Sequence, residues 1–381
     1  MHGMALPLEG ITAYEFGSNV AGPFAGSILA ELGATLIKVE RPEGDDARNW
    51  GPPFAEDGTA TIFHALNRNK RAITVDLRDP AQMDALKQRM AADADVVVQN
   101  MRPGAMAKLG LDNDTLLGLN PRMVICNLHA FGATGPLKDR PGYDALMQAF
   151  GGIMSVTGEE GQPPVRCGIS VIDMGTGMWC AVGILAALFR RGITGRGGVV
   201  DTALFETAVQ WMTFYSADYQ VTGNVPQRYG SGVRGIAPYE AFECADGYQI
   251  VAASNDRLFA KLADALGHSE WKTDPRFITN PDRAAHRAEL KGMLTAIFLT
   301  QPRAHWQAIL DDAGVPSAPT QSMDEVLRHP QTIASGMIQQ KEGFPFTLIG
   351  LPIRFDGERP GLRTTAPALG RDTDAVMGDG D

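Results

Sequence analysis

The strongest constraint on the fold is an alternation of short apolar strands with helical segments through the first half of this 381-residue chain. Strands are predicted at residues 11–16, 35–39, 73–77, 96–99 and 124–128, with helices at 24–32 and 81–90 between them. Strands that alternate with helices form a parallel sheet whose two faces are both covered. The sequence therefore predicts an α/β fold with a Rossmann-like large domain.

The pattern changes near residue 225, where a hairpin replaces the alternation. Residues 239–244 and 248–253 flank the turn sequence Ala245-Asp246-Gly247, which is a strong hairpin signal. Further helices are predicted at residues 256–266, 284–298 and 302–313. We therefore expect a smaller α+β domain at residues 225–325, and a large domain at residues 1–224 that residues 326–381 complete.

Charge and cysteine content exclude several classes of partner. The formal net charge of −10 opposes a broad electrostatic attraction to nucleic acid or to an anionic membrane. The four cysteines lack the close spacing of a zinc site or a disulfide framework. The apolar stretch at residues 174–189 is short and rich in glycine for a membrane span. These features predict a cytoplasmic protein with reduced thiols and no bound metal.

One carboxylate, Asp173, lies between residues 169–172, predicted to be extended, and a long buried helix predicted at residues 175–189. One interpretation makes Asp173 the N-cap of that helix, since aspartate is a favoured capping residue. A second makes it a nucleophile that the helix dipole keeps ionised, while the amides of Gly175 and Gly177 stabilise an oxyanion. The residues themselves leave both interpretations open.

A G-x-G-x-x-G pattern occurs at Gly230, Gly232 and Gly235. A dinucleotide-binding motif of this form needs a strand before it and a helix after it, whereas a hairpin strand follows this one. The pattern is therefore predicted to be a mobile loop near a ligand or a linker between domains.

Basic residues cluster at residues 67–78, at a predicted transition from loop to strand. Such a run is usually a solvated face of the protein. In an acidic chain it is also a candidate site for the phosphates of a small ligand, because arginine and lysine form strong charge-assisted hydrogen bonds with phosphate.

Several short motifs follow one another along nearly the whole chain. They include Ala21-Gly-Pro23, Ile37-Lys-Val-Glu-Arg41, Asn69-Lys-Arg71, Pro141-Gly-Tyr-Asp144 and Thr194-Gly-Arg-Gly197. In this order they resemble the class III CoA-transferases, the family of formyl-CoA transferase and carnitine CoA-transferase. The resemblance implies an enzyme that moves CoA from an acyl-CoA to a free carboxylic acid, and an interlocked homodimer.

The same resemblance assigns the covalent chemistry to Asp173, which would form a mixed anhydride and then an aspartyl-CoA thioester. Coenzyme A and acyl-CoA are substrates in this scheme, and no permanently bound cofactor is implied. The positions that match CoA contacts in the family are Asn19, Val20, Arg41, Val75, Arg78, Asn100, Met101 and Lys108. Val20 and Met101 depart from the residues of formyl-CoA transferase, which argues against formyl or oxalate specificity.

Two alternatives follow from the same resemblance. The superfamily includes α-methylacyl-CoA racemases, whose proton-abstracting histidine corresponds to Tyr143 here, and tyrosine is a weak base at neutral pH. Asp144 beside it is expected to orient substrate or to cap a helix. The loop from Gly230 to Gly235 corresponds to a glycine-rich lid over the active site. A catalytically silent CoA-binding protein is the remaining alternative.

Overall fold

The computed structural model describes residues 5–378 and divides into two compact units. The first unit contains the chain up to Ile153, Arg166–Ala217 and the chain from Pro330 onward. The second contains Met154–Val165 and Asp218–His329. The boundaries predicted at 225 and 325 therefore fall inside the second unit, and residues 154–165, predicted to belong to the large domain, group with it.

The first unit is built on a six-stranded parallel sheet, which confirms the predicted α/β class. Its strands are β1 (Thr12–Phe16), β2 (Thr35–Glu40), β3 (Lys70–Thr74), β4 (Val96–Gln99), β5 (Val124–His129) and β6 (Gly198–Ala203). Their order in the sheet is β3-β2-β1-β4-β5-β6, and every neighbouring pair is parallel. The strand order reverses between β1 and β4, and open α/β sheets bind ligands at the carboxyl ends of the strands beside such a reversal.

Helices cover both faces of this sheet. The helices of the chain up to residue 222, not all of which contact the sheet, are α1 (Ala21–Glu31), α2 (Thr61–Asn67), α3 (Pro80–Asp93), α4 (Ala105–Lys108), α5 (Asn113–Leu119), α6 (Asp144–Phe150), α7 (Ile153–Val156), α8 (Val171–Thr194), α9 (Leu204–Trp211) and α10 (Thr213–Thr222). One core cluster joins α1 and α8 to the sheet through residues such as Leu29, Val98 and Ile184. The opposite face packs α3 through Leu86 and Met90.

Helix α8 has 24 residues and is longer than the predicted helix at residues 175–189. By length and composition it could cross a membrane, so the prediction that this stretch is too short was wrong. Its place in the fold is that of a core helix, because Ile172, Cys180 and Ile184 are buried in the main hydrophobic cluster and the helix connects β5 with β6. The predicted extended segment at residues 169–172 also gives way to helix from Val171 onward.

The second unit contains the predicted hairpin. Strands β7 (Tyr239–Cys244) and β8 (Gly247–Ala252) are antiparallel, and β9 (Ser317–Pro319) pairs with β8. Its helices are α11 (Asp256–Ala265), α12 (Asn280–Ala285), α13 (Arg287–Phe298), α14 (Arg303–Ala313) and α15 (Met323–Arg328). They enclose a separate core that includes Phe242, Phe259 and Leu294.

The C-terminal segment belongs to the first unit. It contains α16 (Pro330–Ala334), β10 (Ile338–Gln339), β11 (Leu348–Ile349) and α17 (Thr373–Met377). Strand β3 is an edge strand, and this segment covers it: the N–H of Ala72 donates to Asp372 Oδ2 and the N–H of Thr74 donates to Thr373 Oγ1, both at 2.9 Å. Covering an edge in this way prevents it from pairing with another chain.

The first part of the basic run at residues 67–78 is buried, which overturns both of its sequence interpretations there. Asn67, Arg68, Asn69 and Lys70 are at most 9% exposed. Arg68 pairs with Glu31 of α1, and Asn69 Oδ1 accepts the backbone N–H groups of Arg363 and Thr364. Strand β3 therefore begins at Lys70, before the predicted start at residue 73, because its charged residues have buried partners.

Candidate active site

The carboxyl ends of β1 and β4 carry the two loops that meet at the strand reversal. The side chain of Asn100, after β4, joins them: the N–H of Ser18 donates to Asn100 Oδ1, and Asn100 Nδ2 donates to the Ser18 carbonyl, both at 2.9 Å. A cleft at this edge is lined by residues from the ends of β1, β2 and β4, among them Ser18, Arg41 and Met101. Asn100 therefore fixes the loop after β1, and its neighbour Met101 lines the cleft.

The loop after β1 leads directly into α1. Asn19 has a positive φ of 67° and donates its backbone N–H to Asp45 Oδ1 at 3.1 Å. Val20 is the N-cap residue of α1, and no side chain caps this helix. The first amides of α1 therefore remain available for an anionic group, which the helix dipole also favours.

Three of the predicted CoA contacts are cations: Arg41, Arg78 and Lys108. Arg41 lines the cleft, and the other two do not. Arg41 pairs with Asp46, and Arg78 pairs with Asp76 at 3.0 Å. Lys108 is exposed in the last turn of α4. A phosphate would thus compete with exposed carboxylates for both arginines, and such exposed ion pairs are weak.

Val75 differs from the other predicted CoA contacts. Its side chain is 1% exposed and lies in the hydrophobic cluster that packs α3 against the sheet. The Val75 side chain therefore contributes to the core and does not border the cleft.

Asp173 lies in the first turn of α8, but it does not cap the helix. Ser170 occupies the N-cap position without a side-chain hydrogen bond. The carboxylate of Asp144 takes the capping role instead, because its Oδ2 accepts the N–H of Ile172 at 2.8 Å and the N–H of Asp173 at 3.1 Å. The N-cap interpretation of Asp173 is therefore wrong, and its own carboxylate has no hydrogen-bond partner within residues 5–378.

The environment of Asp173 also reverses its expected charge behaviour. Burial, and then the nearby negative charge of Asp144, raise the pKa of the Asp173 carboxyl to about 7. The other two amides of the first turn are occupied as well, since Val171 N–H donates to the carbonyl of Ile169 and Met174 N–H to that of Ser170. The helix N-terminus thus does not hold Asp173 ionised.

Gly175 and Gly177 serve close packing within the core. A Cβ on Gly175 would lie 2.8 Å from the Trp211 ring. A Cβ on Gly177 would lie 2.8 Å from the carbonyl oxygen of Ala21 at the start of α1. These contacts replace the predicted oxyanion role of their amides, which lie inside the helix.

The close approach at Gly177 fixes where Asp173 lies. Residues four apart on a helix occupy the same face, so Asp173 lies one turn from Gly177 on the side of α8 that meets α1. The atoms that Gly177 approaches belong to the start of α1, which immediately follows Val20. Asp173 therefore lies one turn before the contact between α8 and the start of α1.

A second layer holds Asp144. Gln148, one turn later on α6, donates through Nε2 to Asp144 Oδ1 at 2.5 Å and accepts the N–H of Cys167 through Oε1 at 2.8 Å. Asp144 and Gln148 are both buried. Tyr143, by contrast, is 60% exposed at the N-cap position of α6. Asp144 was predicted to orient substrate or to cap a helix. It caps a helix, but that helix is α8 and not α6, in which Asp144 itself lies.

The predicted lid loop lies in the second unit and is held there at several points. Gly230 and Gly235 have positive φ angles of 58° and 74°. Asn280 Nδ2 donates to the carbonyl of Gly235 at 2.7 Å, and Arg287 donates to the carbonyl of Val233 at 2.8 Å. A hairpin strand, β7, follows the loop, which agrees with the rejection of a dinucleotide-binding motif. Movement of the loop stays a prediction.

Three buried charged residues near this edge were missed from the sequence: Glu15, Lys38 and Lys70. A signal was present, since Glu15 follows Tyr14 and precedes Phe16 in β1, and Lys38 stands between Ile37 and Val39 in β2. Within residues 5–378 the structure contains no group of three or more histidine, cysteine, aspartate or glutamate residues that could hold a metal ion.

Known proteins are similar to this chain over almost its whole length. Residues 8–373 match the model of CoA-transferase family III. The chain is 37% identical to a succinate–glutarate CoA-transferase of Agrobacterium fabrum, with 93% of each chain covered. It is 36% identical to an acetyl-CoA:oxalate CoA-transferase of Acetobacter aceti, over 95% of this chain and 93% of that one. A crystal structure of a CaiB/BaiF family protein from Brucella suis superposes with a TM-score of 0.89 at 38% identity, over 98% and 99% of the two chains.

Proposed function

The chain belongs to CoA-transferase family III, and we propose that it moves CoA from an acyl-CoA to a free carboxylic acid through covalent intermediates on Asp173. The family assignment, which the resemblance of the motifs predicted, establishes a CoA-transferase. The observation that carries the proposal for Asp173 is its position: a carboxylate without a hydrogen-bond partner in residues 5–378, one turn before the contact of Gly177 with the uncapped start of α1.

In the proposed reaction, a carboxylate oxygen of Asp173 attacks the thioester carbonyl, the C–S bond breaks, and a mixed anhydride and CoA thiolate result. The thiolate attacks the Asp173 carbonyl carbon and displaces the donor acid, which leaves an aspartyl-CoA thioester. The acceptor carboxylate then displaces the thiolate to give a second anhydride. Attack of the thiolate on the acceptor acyl carbon finally releases the new acyl-CoA and restores Asp173. One thioester and one carboxylate are exchanged for another of each, so the reaction is nearly thermoneutral and requires no external energy source.

Two features support this chemistry. A nucleophile with a pKa of about 7 is ionised in half of the molecules near neutral pH, and it is more basic than an ordinary aspartate. The first amides of α1 are the available donors for the oxyanion that forms at each carbonyl attack, since those of α8 are occupied. The assignment of the donors to α1 replaces the predicted role of Gly175 and Gly177.

The test of the covalent scheme is replacement of Asp173. Asp173→Ala should reduce CoA exchange between two acids by at least about a thousandfold, as expected for loss of a nucleophile. Hydroxylamine added with acyl-CoA should modify the peptide that contains Asp173 in the wild-type enzyme and not in the variant. Exchange at the wild-type rate by Asp173→Ala would exclude the mechanism.

We assign the acceptor to the dicarboxylic acids. The succinate–glutarate and acetyl-CoA:oxalate enzymes, to which the chain is similar over almost its whole length, are named for dicarboxylates. The chain itself has a suitable cation in Arg166, which is exposed in the segment leading into α8 and donates only to the carbonyls of Cys167 and Gly168. Within residues 5–378 no carboxylate forms an ion pair with it, so the second carboxylate of an acceptor would meet no competitor there.

A substrate panel tests this assignment. Initial rates with succinyl-CoA and a series of dicarboxylates should exceed those with monocarboxylates of equal length. Arg166→Leu should remove this preference by raising KM for the dicarboxylates about tenfold while leaving the monocarboxylates unchanged. Equal rates for both classes in the wild-type enzyme would contradict the assignment, and incorporation of deuterium at the α-carbon without any acceptor acid would favour the racemase alternative.

We further propose that the protein acts in the cytoplasm as a homodimer. Helix α8 presents a row of exposed apolar side chains, which are Met178, Val182, Phe189 and Ile193, at 52% to 75% exposure. An exposed apolar row of this kind, on the face of α8 that does not pack into the core, usually marks an interface. Light scattering of the purified enzyme should give twice the mass of the 40.9 kDa chain, and a monomer at micromolar concentration would contradict the proposal.

A further inference from the structure

Three charged side chains from neighbouring strands meet in the interior beneath the proposed CoA-binding edge. Glu15 of β1 pairs through Oε1 with Lys38 of β2 at 3.0 Å and through Oε2 with Lys70 of β3 at 2.8 Å. Lys38 also pairs with Asp45 at 2.8 Å. The two lysines and Glu15 are at most 1% exposed. Such a buried group costs desolvation energy and is seldom more stable than an apolar core of the same volume, so a reason for it must be sought elsewhere.

The other hydrogen bonds of the two lysine ammonium groups show which parts of the backbone this cluster of charged residues holds. Lys38 Nζ donates to the carbonyl of Gly17 at 2.6 Å. Lys70 Nζ donates to the carbonyl of Pro23 at 2.8 Å and to Asn67 Oδ1 at 2.9 Å. The Lys70 ammonium group thus uses its three hydrogens on protein partners, whereas Lys38 donates to Glu15 and Gly17 beside its ion pair with Asp45. The carbonyls of Gly17 and Pro23 are the two ends of the loop that contains Asn19 and Val20.

The same group fixes the middle of the loop and its distance from the sheet. Asp45, which pairs with Lys38, accepts the N–H of Asn19. Glu15 fills the space against α1, since a Cβ on Gly26 would lie 1.9 Å from Glu15 Oε2. The loop geometry therefore depends on one connected set of side chains rooted in three strands.

We infer that Lys38 and Lys70, joined through Glu15, are positioning residues for CoA that hold both ends of the Gly17–Pro23 loop in the conformation that receives the coenzyme. The inference rests on the proposed function, in which CoA binds at this loop. Neither lysine lines the cleft, so each acts through the backbone it holds and not by touching the ligand. Preorganising a binding loop in this way reduces the entropy lost on binding.

Lys70 is the better residue to replace. Burial, and then the positive charge of Lys38, lower the pKa of Lys70 to about 8, and the single carboxylate beside it, Glu15, offsets this only in part. Burial also disfavours the charge of Lys38, but Glu15 and Asp45 together outweigh that effect and raise its pKa. A neutral side chain of similar length should therefore be tolerated at position 70, where Glu15 keeps its second partner.

The experiment compares Lys70→Met with a matched control, Arg191→Met. Arg191 is also buried, pairs with Asp95 at 2.8 Å and donates to the carbonyl of Arg122. These partners precede β4 and β5, so they lie at the amino ends of the strands, away from the proposed CoA-binding edge. Titration calorimetry with free CoA should show a Kd raised about tenfold by Lys70→Met and unchanged by Arg191→Met. Hydrogen exchange of the peptide spanning residues 17–26 should accelerate in Lys70→Met alone.

A second variant keeps the inference testable if Lys70→Met fails to fold. Glu15→Gln is isosteric, retains an acceptor for Lys38 and places an amide against Lys70, so it should raise the Kd for CoA in the same direction. A wild-type Kd in either folded variant, or equal weakening by Arg191→Met, would overturn the inference. Absence of CoA binding or transfer by the wild-type enzyme would instead overturn the proposed function, so the two failures are distinguishable.

Discussion

The backbone N–H of Asp173 donates to the carboxylate of Asp144, which lies 29 positions earlier in the chain. The same carboxylate therefore starts α8 and places a negative charge beside the proposed nucleophile. These two effects oppose each other in function: the cap fixes the position of Asp173, while the charge raises its pKa. A variant that keeps the cap and removes the charge should separate them.

Asp144→Asn is that variant. Its side-chain oxygen still accepts the amides of Ile172 and Asp173, although its Nδ2 then faces Gln148 Nε2 and the Gln148 hydrogen bond is lost. The negative charge is gone, so the pKa of Asp173 should fall below its wild-type value of about 7. The rate of the first acyl transfer should rise with pH through an ascending limb, because only the ionised carboxylate attacks. We expect the midpoint of that limb near pH 7 in the wild type and at lower pH in Asp144→Asn.

Asp144→Ala is the control, since it removes the charge and both capping bonds. It should lower the free energy of unfolding by about 0.5–2 kcal/mol, as other lost N-caps do. Identical midpoints in the wild type and Asp144→Asn would show that Asp144 has no electrostatic effect on the nucleophile.

Asp173→Asn should make the protein more stable above neutral pH. The pKa of Asp173 is raised in the folded state from an unfolded value of about 4, so protonation favours folding. That contribution is complete below about pH 4 and is lost as the pH rises through about 7. Asparagine resembles the protonated acid at every pH.

Urea unfolding at pH 5 and pH 8 measures this difference. The stability gained by Asp173→Asn over the wild type should grow between the two pH values to about 1–3 kcal/mol, after allowance for the partial exposure of the carboxyl group. A gain that shrinks with rising pH would mean that the carboxylate is stabilised in the folded enzyme.

Gly177→Ala should impair catalysis through packing alone. Its Cβ would lie 2.8 Å from the Ala21 carbonyl and 3.1 Å from the Ala25 nitrogen, and these backbone atoms cannot move aside without shifting α1 away from α8. We expect an overpacking cost of about 1–3 kcal/mol and a lower kcat, since Asp173 lies one turn away.

Gly192→Ala provides the control on the same helix. A Cβ there would meet nothing within 4 Å. It should be neutral or raise the free energy of unfolding by up to about 1 kcal/mol through helix propensity, with unchanged kinetics. Equal loss of activity in both variants would exclude a specific contact between α1 and α8.

Asn69→Gly should weaken the attachment of the C-terminal segment. Asn69 has a positive φ of 62°, which glycine also adopts, so this variant removes the hydrogen bonds to residues 363 and 364 without straining the backbone. We expect a loss of about 1–3 kcal/mol in thermal or urea unfolding and an unchanged Kd for CoA. An unchanged stability would mean that the segment is held by other contacts.

Local patterns predicted the elements whose partners are close in sequence. The strand at residues 96–99 matches β4, and the hairpin matches β7 and β8 within a residue or two. Local patterns failed where the stabilising partner of an element is a residue far away in the sequence. The start of α8 at Val171 depends on Asp144, and the burial of Lys70 depends on Glu15. Neither relationship has a period or a spacing that a single sequence displays.

The order in which the chain is made gives the covered edge of β3 a further meaning. Ala72 and Thr74 receive their outer hydrogen-bond partners from Asp372 and Thr373, about 300 residues later. On the ribosome, β3 therefore emerges long before Asp372 and Thr373, and residues 218–329 of the second unit are made before this edge is covered. The nascent chain therefore passes the synthesis of about 300 residues with an uncovered sheet edge, until Asp372 and Thr373 arrive to pair with it.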